Sequence, residues 1–141
     1  MNAFFTILIA GRNRNVRELL RRELSAEGYQ TATAGHAREI AERLALEPPV
    51  DLVVLDDDLA GADCAVMVRK IRTLRRTLPV IVHGHGVEEV GEALSEKFTI
   101  FVKKNGVLTR LTAAVAGALR HFQPENRADR AFLDPAGSGE G

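Results

Sequence analysis

The stretch DLVVLDDDLAG, residues 51–61, decides the fold. Leu52, Val53, Val54 and Leu55 form an unbroken run of branched apolar side chains, the composition of a strand buried on both faces. Such a strand belongs in a parallel sheet with helices on either side. The run stops abruptly on Asp56, Asp57 and Asp58, and open α/β sheets hold their ligands at the C-terminal ends of strands. Adjacent carboxylates repel one another, so a metal ion, a lysine or an arginine is needed nearby to neutralise them.

Upstream, residues 4–10 are a second apolar run, closed by Gly11. Asn15 stands three residues before Glu18 and reads as an N-cap with its capping-box partner. Val16, Leu19, Leu20 and Leu24 follow at helical spacing, and Gly28 sits where a C′ residue belongs. Residues 29–34 alternate as a short strand, and Ala37, Ile40, Ala41 and Leu44 mark a second helix. Pro48 and Pro49 cannot continue that helix and lead stiffly into the buried strand. Downstream, Val66, Met67, Ile71 and Leu74 give a helix over 63–74, and residues 78–82 a further strand. Val87, Val90, Ala93 and Leu94 suggest a short helix over 87–94, followed by a strand over 98–102. A last helix over 108–122 carries Leu108, Leu111, Val115, Leu119 and Phe122 on one stripe.

Strands and helices that alternate in this way, joined by right-handed crossovers, predict an α/β fold. It is the three-layer (βα)5, flavodoxin-like, doubly wound parallel sheet of strand order 2-1-3-4-5. Residues 1–122 are expected to form this single domain, and residues 123–141, rich in Pro, Gly and charge, a flexible C-terminal tail.

Composition narrows the function classes. Basic and acidic residues balance at 19 each, so no net field points to nucleic acid or a membrane surface. The single cysteine, Cys64, excludes an internal disulfide and fits a reducing cytoplasm. The N-terminal apolar run is too short for a membrane span and lacks the basic segment of a signal peptide.

The join ILIAGRNRNVRELLRRELSAEGY (residues 7–29), DLVVLDDDLAGAD (51–63), LPVIV (78–82) and FVKK (101–104) occur together at characteristic spacing. Through them the chain from Phe5 to about Phe122 resembles the receiver domain of two-component response regulators. The resemblance implies that Asp56 is the position that accepts a phosphoryl group from a histidine kinase. It implies that Lys103 is the lysine that pairs with that group. In those roles the carboxylate is a nucleophile and the ammonium stabilises the added charge. The same resemblance marks departures. Gly11 and Arg12 stand where a pair of acids would hold Mg²⁺, and Gly84 replaces a small hydroxyl residue that follows the phosphoryl group. Ile100 replaces an aromatic residue, Lys104 replaces a proline, and the segment from Gly84 to Lys103 is a few residues short.

These departures fall on the reaction site and leave the scaffold pattern intact. Without the paired acids, Mg²⁺ would rest on Asp56, a backbone carbonyl near Asp58 and Asp57, a poor octahedral set, and no metal or other cofactor is expected. An Arg12 guanidinium would oppose the ion and pair with Asp56 or Asp57 instead. The expectation is therefore a degenerate receiver, held in one state by an Arg12–Asp56 or Lys103–Asp56 pair. It would act without phosphorylation through contact with a protein partner, a histidine kinase or an output protein, and homodimerisation is compatible with this. The alternatives are a working phosphoacceptor that uses Asp56 with Mg²⁺, and a Rossmann-like nucleotide-binding enzyme. The enzyme reading lacks support, because AGRNRN holds one glycine and no G-x-G-x-x-G.

Other residues read as structural. His83 and His85 form an H-x-H without a third ligand, and His85 adds bulk beside the crevice. Cys64 is a small helix residue. The arginines of 14–22 and 69–76 alternate with glutamates or lie on solvated faces.

Overall fold

The computed structural model describes residues 4–58, 64–86 and 97–122. Its strands are β1 (Thr6–Ala10), β2 (Gln30–Ala34), β3 (Leu52–Asp56), β4 (Val80–Gly84) and β5 (Thr99–Lys103). Its helices are α1 (Arg14–Ala26), α2 (Ala37–Leu44), α3 (Cys64–Leu74) and α4 (Thr109–Phe122). The strands pair in parallel in the order β2-β1-β3-β4-β5, as the alternation of elements predicts. The helix expected over 87–94 and the tail over 123–141 lie outside the described residues.

Every residue of β1, β3 and β4 is buried, which is why their sequences read as continuous apolar runs. Side chains alternate between two layers. Leu8, Val53, Leu55, Val80 and Val82 meet Ile40 and Leu44 of α2 and Met67, Val68 and Ile71 of α3. Ile7, Ile9, Leu52, Val54, Ile81 and Val102 meet Leu20 and Leu24 of α1 and Leu111, Val115 and Leu119 of α4. Each fully buried branched side chain contributes about 1.5–3 kcal/mol through apolar area removed from water.

At its N-terminal end β3 is clamped to β1. The Asp51 N–H donates to the Thr6 carbonyl and the Thr6 N–H donates to Asp51 Oδ2, both at 2.8 Å, with Asp51 only 1% exposed.

Local details differ from the sequence expectation at two helices. The N-cap of α1 is Asn13, whose Oδ1 accepts from the Val16 N–H at 3.1 Å, while Asn15 lies inside the helix. Glu18 turns to Arg21 rather than back to a capping box. Gly28, at φ 100°, does end the helix in the left-handed region that glycine enters without steric cost. In α3 the buried face is Cys64, Ala65, Met67, Val68 and Ile71, and Val66 and Leu74 are exposed. Leu19 of α1 is also exposed, so the inward stripe there is Leu20 and Leu24, with Val16 partly buried.

Candidate functional site

The C-terminal ends of β1, β3, β4 and β5 lie side by side along one edge of the sheet, and Gly11, Asp56, Asp57, Gly84 and Lys104, which end or follow those strands, meet there. Asp56, the last residue of β3, is 3% exposed and stands opposite His83 of β4 in the parallel register. Its Oδ1 accepts from Lys104 Nζ at 2.7 Å and from the Asp58 N–H at 3.0 Å. Lys104 Nζ also lies 3.5 Å from Asp57 Oδ1, so one ammonium serves two carboxylates.

The lysine expected to meet Asp56 was Lys103, and the structure places Lys104 there instead. The reason is the two-residue period of a strand. Ile100 and Val102 of β5 share the layer of Ile81 and Val54, and Lys104 continues that face toward Asp56. Lys103 has the opposite parity, pairs with Gly84 in register and is exposed. The Lys104 N–H donates to the Gly84 carbonyl at 2.7 Å, which holds the chain in line just beyond the strand. Three places before Lys104 stands Phe101, partly buried, and directly after it Asn105, exposed.

Arg12 is exposed, and the pairs expected between it and Asp56 or Asp57 are not made among the described residues. The carbonyls of Gly11 and Arg12 accept from Arg17 Nη1 at 2.8 and 3.1 Å. Gly11 is close to the site: a Cβ there would lie 3.0 Å from Asp56 Cβ. Gly84 ends β4 against Asp57, and a Cβ on it would lie 2.6 Å from Asp57 Oδ2. The volume where a hydroxyl side chain was expected to be missing is therefore filled by the Asp57 carboxylate. Asp57 donates its N–H to the His83 carbonyl at 3.1 Å and accepts the His85 N–H on Oδ2 at 3.0 Å. Asp58 is exposed.

Burial sets the electrostatics. It pushes the Asp56 carboxyl up to about 6, helped by a hydrogen bond with the Asp58 side chain and opposed by Lys104. Burial also acts to raise Asp57, but the His85 N–H, Lys104 and its other partners outweigh it and hold Asp57 below the ordinary carboxylate value. Lys104 is held above its ordinary value, because Asp56, Asp57 and Asp58 together outweigh its partial burial. Burial, with the Lys104 charge beside it, drives His83 down to about 4, so its imidazole is neutral at pH 7. Its Nδ1 has no hydrogen-bond partner among the described residues.

The donor set does not suit Mg²⁺. That ion wants near-octahedral oxygens, yet Asp56 Oδ1 is committed to Lys104 and Asp58, Asp57 Oδ2 is committed to His85, and β1 ends on Gly11 and Arg12. Among the described residues no group of three or more His, Cys, Asp or Glu is placed to hold a metal ion. His83 is buried and His85 exposed, and Cys64 is buried at the start of α3. Among the described residues no helix is long and apolar enough to cross a membrane.

Sequence reasoning missed the contact of Asp57 with Gly84 and His85. The signal available was a glycine ending a fully buried strand, which marks a close approach by something.

Comparison with known proteins places this geometry in context. The family model of the response regulator receiver domain matches residues 7–116. The chain is 32% identical over 124 residues to the response regulator MprA of Mycolicibacterium vanbaalenii, covering 86% of this chain and 53% of that protein. It is 31% identical over 125 residues to MprA of Mycobacterium tuberculosis, covering 87% and 54%. The chain thus spans about half the length of these curated relatives. Among solved structures, NtrX of Brucella abortus superposes with a TM-score of 0.77 at 26% identity, covering 96% of this chain and 31% of that one. The response regulator TrrA of Thermotoga maritima, solved in complex with Mg²⁺-BeF, gives 0.72 at 25% identity, covering 82% and 99%.

Proposed function

The chain belongs to the response regulator receiver family of two-component signalling, and from that premise we propose that it signals by protein–protein contact without phosphorylation of Asp56. The observation that carries this reading is the β1 end beside Asp56, which offers Gly11 and Arg12 in place of carboxylates. Phosphoryl transfer needs cations on the equatorial oxygens of the moving group, usually a metal held by acidic side chains. Here, among the described residues, the cation beside Asp56 and Asp57 is the Lys104 ammonium, and the β1 end adds no acid to hold a metal. The protein partner is a histidine kinase or an output protein, met in the cytoplasm, and in this role the chain turns over no substrate.

A backbone amide NMR titration with Mg²⁺, followed by beryllofluoride as a phosphoryl mimic, tests the proposal. The expected result is a well-dispersed spectrum without saturable shifts at Asp56, Gly84 or Lys104. Saturable shifts that spread into β5 and α4 would overturn it. They would favour a second reading, a working phosphoacceptor, which the retained Asp56–Lys104 pair supports. Stoichiometric labelling of Asp56 by a small phosphodonor would then follow.

A further inference from the structure

We propose that Asp57 is an internal anion that fills an oxyanion site, and that removing its carboxylate opens that site to inorganic phosphate on Lys104 and the His85 N–H. The inference rests on the reading above, in which this crevice is closed to an external phosphoryl group, and supplies the reason for the closure.

A site for a small oxyanion needs a cation, at least one backbone N–H aimed inward, and a space free of side chains. The crevice has all of these, and one carboxylate spans them. Asp57 Oδ1 lies 3.5 Å from Lys104 Nζ, and Oδ2 accepts the His85 N–H at 3.0 Å. The space is supplied by Gly84, where a Cβ would come within 2.6 Å of Oδ2 and 3.0 Å of Cγ. The Asp57 side chain is only 7% exposed. A buried carboxylate persists only where charge and hydrogen bonds replace its lost hydration. The replacement here comes from those same donors, and they hold Asp57 ionised, below the ordinary carboxylate value. Backbone pairing fixes the residue in place, because the Asp57 N–H extends the β3–β4 ladder onto the His83 carbonyl. The carboxylate is therefore a seated occupant, and Gly84 is the residue that lets it sit.

The test uses the full chain and inorganic phosphate as the probe. In the parent, phosphate should leave the His85 and Lys104 amide resonances in place. In Asp57→Ala the same resonances should shift saturably, with affinity at least about tenfold above the parent, and adding Lys104→Ala should abolish the effect. A folded Asp57→Ala chain in which phosphate moves these amides no more than in the parent would overturn the inference. Gly84→Ala in the otherwise unchanged chain keeps the idea testable should Asp57→Ala fail to fold. Its added methyl should lower Tm by several degrees and raise the carboxyl pKa of Asp57 as the His85 contact is lost. An unchanged Tm and an unchanged Asp57 titration would overturn the seating of the carboxylate. Failure of the parent reading is separate: it shows as beryllofluoride binding to the unmodified chain, whereas this inference is judged on the difference between the parent and the Asp57 or Gly84 variants.

Discussion

Lys104, one residue beyond the end of β5, places its ammonium 2.7 Å from Oδ1 of Asp56 at the end of β3. The Asp56 side chain is 5% exposed and that of Lys104 18%, so water screens the pair weakly. Removing the lysine leaves a buried carboxylate without its counter-ion. Lys104→Ala should therefore cost roughly 2 kcal/mol, the scale of a hydrogen bond to a charged group, whereas the exposed Lys103→Ala should cost less than about 0.5 kcal/mol. Urea unfolding of the two variants at neutral pH separates them, and equal losses would return Lys103 to the site.

Asp56 and His83 should act on stability with opposite signs as pH changes. The folded-state value of Asp56 is raised from 3.8 to about 6. The native state therefore holds this proton more tightly than the unfolded chain, and the residue's contribution falls as pH rises across that interval. His83 is lowered from 6.5 to about 4, so the unfolded chain takes up its proton first and stability rises with pH over that interval. The two slopes offset one another in the parent. Relative to the parent, Asp56→Asn should gain stability as pH rises from about 4 to about 6, and His83→Leu should lose it over the same range. Urea midpoints at a series of pH values check both signs.

The cap of α1 offers a clean comparison of neighbouring asparagines. Asn13→Ala should destabilise by about 1 kcal/mol through loss of the bond to the Val16 N–H. Asn15→Ala, inside the helix, should be neutral or slightly stabilising because alanine is the better helix former. Thermal melts that rank the two in the other order would contradict the assigned cap.

Supplying the missing acids should create a cation site. Gly11→Asp with Arg12→Asp adds two carboxylates at the β1 end, and the 3.0 Å approach at Gly11 requires Asp56 to yield by a few tenths of an ångström. Isothermal calorimetry should then show markedly tighter Mg²⁺ binding than in the parent. Unchanged affinity would mean that Gly11 and Arg12 do not stand at the positions of the Mg²⁺-holding acids.

The sheet order was legible because β1, β3 and β4 are buried on both faces and read as unbroken apolar runs, closed by Gly11, Asp56 and Gly84. Asp56 stood out for the same reason, as the first charge after such a run. The lysine did not, because Lys103 and Lys104 are identical in type and only strand parity separates them. That parity is faint in β5, where Thr99, Ile100 and Phe101 are all partly buried. The cap of α1 escaped for another reason: Asn15 has Glu18 three residues on, yet it is Asn13 that accepts from the Val16 N–H. The contact of Asp57 with Gly84 joins residues 27 apart in the chain; the glycine that ends β4 signals a close approach there, and nothing local says which residue makes it.

The clamp between Asp51 and Thr6 bears on how the chain tolerates insertions and deletions. It fixes β3 to β1 at the end of the sheet away from the crevice, so the position of Asp56 is counted from Asp51 and not from the preceding helix. Residues added within the exposed 45–48 connection are taken up before the count begins. A single residue added between Asp51 and Asp56 would instead turn the carboxylate to the opposite layer and leave Lys104 facing an apolar neighbour.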